Sequence, residues 1–363
     1  MEILPKTLGT RPRLAVEVRA EGVVAARAED AAALLTAVAR GDLAEGALVP
    51  GLKIGNVVDR AAVTAAIRKA LDGVAGTGRE RVRDVTVVVP DSAVRVLFVD
   101  FDQLPAKASE ALPVVRFRLK KLLPFDADDA MVSYQVMSSE KGAVKLLAVA
   151  MPKAVLEEYE SVVLAAGYLP GAVLPSTLAA LAGLEEIPAP VLVVNAGMTA
   201  VTTAIVQAGT LLLHRSVDLS AGVASAPLEA TTVVLPTNRE SSVPQWEPEP
   251  GGWDRFDAEA VMQRSVVETA VVREIEVRAA AHEVVQAVSV AAAYFEDSLQ
   301  SSPDQLLVAG TLGAESVAAM MEESGMQGLR VREMVGAGMM EAGAMTASVP
   351  RSWLAGVRGA LRN

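Results

Sequence analysis

The run VVNAGMTAVTTAIVQAGTLLLHR, Val193–Arg215, sets a small polar turn between stretches rich in β-branched residues. It reads as a β-hairpin with a second tight turn near Gln207–Gly209. The first turn, Asn195-Ala196-Gly197-Met198-Thr199, has the makings of a phosphate cradle. A glycine lets backbone N–H groups approach an anion closely, and a threonine adds a hydroxyl. At its head, however, stands Asn195, a neutral amide where a nucleotide site would carry an aspartate for hydrated Mg²⁺. Little else in the chain offers chemistry. There is no cysteine, and His214 and His282 are the only imidazoles, so thiolate and histidine-rich metal sites are excluded. VAGTGRERVR lacks the G-x-x-x-x-G-K-[ST] spacing and reads as a surface turn, and GAGMMEAGAM is a connector rather than a dinucleotide fingerprint. Glu157/Glu158 and Asp126/Asp128/Asp129 read as solvated charges, and His214, ending an apolar strand, as a structural histidine.

One helix combines apolar and cationic residues. In EALPVVRFRLKKLLPF, Leu112, Val115, Leu119 and Leu122 form an apolar stripe, while Arg116, Arg118, Lys120 and Lys121 form a basic rim. Such a rim suits a peptide groove or anionic lipid headgroups. The rest of the chain is acidic: 33 basic and 44 acidic residues give a formal charge of −11, which argues against nucleic-acid binding.

These residues need a scaffold. At about 100–200 residues per domain, 363 residues imply two or three. No signal peptide heads the chain, so the cytoplasm is the expected location. Ser161–Leu184 and Val191–Leu213 are long and uncharged. The first is broken by Pro170 and Pro175, and the second is polar enough to be buried strands, so no transmembrane segment is expected. Leu14–Glu17 and Val23–Arg27 read as strands and Val63–Leu71 as a helix capped by Asp59. From Val94 the order strand, helix, strand, strand, helix, strand predicts a ferredoxin-like β-α-β-β-α-β module. Pro236–Trp253 predicts a mobile loop and Ala258–Leu299 a helix broken near its middle. The expected organisation is a first half over 12–90, the module over 91–174, a return helix and linker over 175–190, a second half over 191–335 containing the loop 236–253, and a C-terminal connector and helix over 336–363.

Three segments carry a resemblance: GLKIGNVVDRAAVTAAIRKAL (Gly51–Leu71), VTVVVPDSAVRVLFVDFDQLP with LKKLLPFDADDAMVSYQV, and AVSVAAAYFEDSLQSSPDQLLVAG (Ala287–Gly310). With the order of elements they resemble the PilM family of type IV pilus machines, in the actin-like ATPase superfamily, related to FtsA and to the cytoplasmic part of GspL. The resemblance implies an α/β, actin-like (ribonuclease H-like) fold of two halves with the ferredoxin-like module inserted. It implies three phosphate and adenine turns, all altered here. Glu17-Val18-Arg19-Ala20 carries Arg19 in place of a glycine, Asn195 replaces the aspartate while Gly197 and Thr199 remain, and Ala309-Gly310-Thr311-Leu312-Gly313 replaces a triple glycine. The nucleotide site is therefore expected to be degenerate, with ATP and Mg²⁺ bound weakly or not at all, no catalytic residue and no resident metal. The resemblance further implies a cytoplasmic scaffold held at the inner membrane by a PilN-like bitopic protein, whose N-terminal peptide lies in a groove between the module and the first half. Val94, Val96, Phe98 and Leu119, on the module's first strand and helix, with Arg116 and Lys120 on the basic rim, are the expected contacts. The alternatives are an active ATP-hydrolysing actin-like enzyme and a GspL-like chain, which would continue into a membrane helix.

Overall fold

A computed structural model describes residues 11–76, 82–140, 142–185, 188–219, 280–326, 328–344 and 349–362. The loop expected at 236–253 and residues 258–279 of the helix expected over Ala258–Leu299 lie outside the described residues.

The first half is a five-stranded sheet. β1 (Leu14–Arg19), β2 (Gly22–Ala28) and β3 (Leu35–Asp42) form an antiparallel meander, and β4 (Asp84–Val89) and β8 (Leu169–Pro175) add in parallel, in the order β3-β2-β1-β4-β8. The second half repeats this plan with β9 (Val191–Ala196), β10 (Ala200–Gln207), β11 (Thr210–Asp218), β12 (Gln305–Gly310) and β13 (Arg330–Glu333), ordered β11-β10-β9-β12-β13.

Strand periodicity assigns faces. In β1, Leu14, Val16 and Val18 pack outward with α1 (Arg60–Asp72) and α3 (Lys153–Ala165), while Ala15 packs toward the other half. Successive side chains alternate, so Glu17 and Arg19 also face the other half. In β9, Leu192, Val194 and Ala196 pack with the helix at residues 280–299 (α5), and Val191 and Val193 face the first half, which sends Asn195 the same way. The two inner faces close over α4 (Ser176–Ala182) and α7 (Ala355–Leu361), both almost wholly buried. A Cβ on Gly359 would stand 1.8 Å from the Ala179 carbonyl oxygen, so these helices meet at backbone contact distance. A further helix of the second half, α6 (Gly313–Glu323), follows β12 and buries Val317 and Met321. The cap expected on α1 is present: Asp59 Oδ1 accepts the Ala62 N–H at 2.9 Å, and Val63, Ala66, Ile67, Ala70 and Leu71 are buried.

The inserted module is smaller than its sequence suggests. β5 (Arg95–Phe101), β6 (Ala130–Glu140) and β7 (Ala143–Pro152) form a three-stranded antiparallel sheet, ordered β5-β7-β6, with α2 (Ala108–Leu119) on one face. The ferredoxin-like sheet expected over 91–174 is therefore not closed by its last strand. β8 pairs with β4 instead, Val88 opposite Leu174. α3 packs on α1, burying Val155, Tyr159, Val162 and Val163, with Tyr159 donating to Asn56 Oδ1 at 3.2 Å. Strand and helix periods define which side of an element is apolar but not which partner covers it. Here β4 had an open edge, and β8, with Pro170 and Pro175, suits the outermost position.

Candidate functional site

Two places in the fold answer to the residues singled out above: the cleft between the halves and a groove beside the module.

At the cleft, Glu17, Arg19 and Asn195 are brought together as the strand registers dictate. Arg19 Nη2 lies 2.5 Å from Glu17 Oε1 and donates to Ser176 Oγ at 3.0 Å. Ser176 Oγ in turn donates to Glu17 Oε1 at 2.6 Å. Glu17 is fully buried and its Oε2 has no hydrogen-bond donor among the described residues; that oxygen lies against Gly356, where a Cβ would be 2.4 Å away. Burial pushes the Glu17 carboxyl above the usual carboxylate range, opposed by Arg19 and by the Ser176 hydrogen bond. Arg19 thus turns inward onto its own strand's carboxylate and is only 7 % exposed.

Asn195 acts as a donor here. Its Nδ2 donates to Ser176 Oγ at 2.8 Å and to Thr177 Oγ1 at 2.9 Å, and its Oδ1 faces Arg19 at 3.4 Å. Beside it, Asp91 accepts from the Thr177 hydroxyl at 2.5 Å, the Thr177 N–H at 3.0 Å and Thr202 Oγ1 at 3.0 Å. A carboxylate at 195 would present only acceptors to this group, next to buried Asp91. The amide suits the network because it supplies the missing protons.

The Gly197 turn is also engaged. Glu21, on the β1–β2 turn of the first half, accepts the Met198 N–H at 2.5 Å and the Thr311 hydroxyl at 3.1 Å. A Cβ at Gly197 would approach Glu21 Oε1 to 3.0 Å, so the glycine admits this carboxylate. Thr199 lines the same space, and its carbonyl accepts the Leu219 N–H at 2.8 Å. Gly310 has φ +101°, and a Cβ there would lie 2.2 Å from the Ala196 carbonyl oxygen, so its role is close backbone packing at the end of β12. The space left among Arg19, Glu21, Asp91, Asn195, Gly197 and Thr202 is about 30 Å³. The chain's sequence pointed to Glu17, Arg19, Asn195, Gly197, Thr199 and Gly310. It did not point to Glu21, Asp91, Ser176 or Thr177, which belong to turns and a helix start distant in sequence.

The groove lies between the module and the first half. One wall is the face of β6 and β7 away from α2, with Met131, Ser133, Leu147, Val149 and Met151. The other is edge strand β8, Gly171 to Pro175, with Leu156 and Glu160 of α3. Its volume is about 480 Å³, and among the described residues Glu160 carries the only charge on its walls. Of the contacts expected from sequence, Val94 lines this groove. Val96 is half-buried between the cores, and Phe98 stands on β5, 43 % exposed and outside the groove lining. The other three are placed differently. Leu119 is fully buried between α2 and the module sheet. Arg116 donates to the carbonyls of Ala127 and Ala130 at 2.5 and 2.8 Å, tying down the loop before β6, and Lys120 pairs with Asp128 at 2.5 Å. α2 covers the opposite face of the sheet, so its basic rim does not border the groove. A single amphipathic helix could be read from sequence, but the side of a sheet on which it packs could not.

Among the described residues no helix is long and apolar enough to cross a membrane, and no cluster of three metal-ligating side chains occurs. No protein-family model and no curated protein matches the chain. Solved structures are similar. A PilM-PilN type IV pilus biogenesis complex is matched with 16 % identity and a TM-score of 0.64, covering 97 % of this chain and 97 % of that chain. The cytoplasmic domain of EpsL, an inner membrane component of the type II secretion system of Vibrio cholerae, is 15 % identical at a TM-score of 0.37, over 70 % of this chain and 94 % of that one. A Bacteroides thetaiotaomicron protein with actin-like ATPase fold is 9 % identical at 0.39, over 91 % and 93 %. The chain has the actin-like fold, and it shares its overall arrangement with the pilus protein over nearly its full length.

Proposed function

We propose that this protein is a cytoplasmic scaffold of a type IV pilus machine, of the PilM kind, held at the inner membrane by a PilN-like bitopic protein whose N-terminal cytoplasmic segment it grips. The observation that carries this reading is the apolar groove of about 480 Å³ between β6/β7 and β8, in the place where the family resemblance puts the partner peptide. An extended peptide suits such a groove: edge strands offer unpaired backbone groups, and apolar walls accept alternate side chains. The walls here are an edge strand of each of two sheets.

In this reading the protein is not an ATPase. Pockets for small molecules of nucleotide size take about 300–1,000 Å³, against about 30 Å³ between the phosphate-side turns. The donors that would meet a phosphate are taken by the chain's own carboxylates, Arg19 by Glu17 and the Met198 N–H by Glu21. A triphosphate does not fit those side chains, so no chemical step is assigned to one. Calorimetry with Mg-ATP should show binding no tighter than the micromolar range, and sub-micromolar affinity with turnover would favour the enzyme alternative.

The groove is tested by co-purification with the full-length bitopic partner from membranes. Met131→Glu, at a side chain 52 % exposed, should strongly reduce recovery of the partner while the melting temperature stays near that of the wild type. Equal recovery by the folded variant would remove the groove from the interaction.

A further inference from the structure

Among the described residues, the outer face of α2 stays open to solvent. Ala111, Val115 and Leu119 hold the helix to the module sheet, which turns Val114, Phe117 and Arg118 to solvent. On that outer side Val114 is 38 % exposed and Phe117 70 % exposed, and Leu122, in the turn that follows, is 48 % exposed. The sequence sets Leu122 on the apolar stripe with Leu112, Val115 and Leu119. The turn after Lys120, in which the Leu122 N–H bonds to the Leu119 carbonyl at 2.9 Å, carries it out instead. Positions 114, 117, 118 and 121 share one face of the helix. Arg118 and Lys121 are therefore interleaved with the exposed apolar side chains, and neither makes an ion pair among the described residues, whereas Lys107 is paired with Glu110 and Lys120 with Asp128. A solvated face would not normally spend its most exposed positions on phenylalanine and leucine.

We propose that this face is a contact for an anionic lipid surface, with Phe117, Val114 and Leu122 entering the headgroup region and Arg118 and Lys121 meeting lipid phosphates. The charge argument selects the occupant. A chain of net charge −11 exposes here two cations that make no ion pair among the described residues, on an apolar ridge, which is the composition of a helix lying in a membrane interface. Because the module's sheet separates α2 from the groove, lipid and peptide could be engaged together, and the lipid contact stands whether or not the groove binds a peptide.

The test is sedimentation of the purified full chain with vesicles of phosphatidylcholine alone and of phosphatidylcholine with about a third phosphatidylglycerol. The wild type should pellet with the anionic vesicles at low salt and not with the neutral ones. Arg118→Gln with Lys121→Gln should lower the apparent affinity about tenfold or more, the scale expected for two juxtamembrane cations. Phe117→Ser should lower it several-fold with an unchanged melting temperature. Absence of pelleting with anionic vesicles, or equal pelleting of wild type and both variants, would overturn the proposal. So would concentration-dependent self-association that Phe117→Ser abolishes, because the face would then belong to a second copy of the chain.

Discussion

The two halves have the same strand order but meet the cleft with different chemistry. In the first half, β1 and its turn contribute side chains: Glu17, Arg19 and Glu21 all point into the space between the sheets. In the second half, the matching strand and turn contribute small residues and donors: the Asn195 amide, Gly197 and the Met198 N–H. The strand registers make the comparison residue by residue, since Glu17 stands beside Val88 as Asn195 stands beside Ala309. The first half therefore supplies the anions, and those of Glu21 and Asp91 are received by donors of the second half.

The comparison can be broken most severely at the ends of β4 and β12, where Val89 and Gly310 correspond. Gly310→Val, which copies the first half into the second, places a branched side chain at φ +101° and against the Ala196 carbonyl, where even a Cβ would be 2.2 Å away. Denaturant titration should show a loss of more than about 4 kcal/mol, or no folded protein. Next in size, Arg19→Leu leaves buried Glu17 without its cation. A loss of about 3 kcal/mol is expected, and Glu17→Leu added to it should recover most of that, since an apolar pair needs no counter-charge. An unchanged midpoint in the single variant would show that Ser176 alone supports the carboxylate.

Asn195→Asp sharpens the comparison because it restores the residue that a nucleotide site would carry. In this cleft it removes the donor to Ser176 and Thr177 and sets a carboxylate near Asp91, so about 2 kcal/mol of stability should be lost and no gain in Mg-ATP affinity should appear in calorimetry. The smallest effect concerns protons. Burial holds the His214 imidazole, in the second half, below its ordinary value of 6.5, with nearby Asp91 opposing. Below that pH the unfolded chain binds a proton that the folded chain refuses until its own lower value is reached, so stability from this group is full above 6.5 and falls as the pH drops below it. Glu17, in the first half, works in the opposite sense: its raised value disfavours the folded state as pH rises through and above 4.5. As the pH falls from 6.5 toward the lowered value, the wild type should lose stability relative to His214→Gln, and the difference between the two curves isolates the histidine.

Much of this molecule was legible in its residues. Alternation in β1 and β9 set Glu17, Arg19 and Asn195 on faces opposite the outward-packed valines and leucines, and Asp59 marked the start of α1. Arg19 in the first turn and Asn195 in the second depart from the pattern that the family resemblance implies for a magnesium-bound phosphate site. These properties are local: a strand's period, a cap's hydroxyl or carboxylate and a glycine's freedom act within a few residues. What only the tertiary structure decided is long-range. It chose β4 as the partner of β8, α1 as the partner of α3 and the far face of the module for α2, so that Arg116, Leu119 and Lys120 lie away from the groove. It also brought Glu21 to Met198, 177 positions along the chain, and Asn195 to Asp91, 104 positions away. An apolar face declares that it must be covered, but which of several equally apolar faces covers it is settled by the packing of the whole chain.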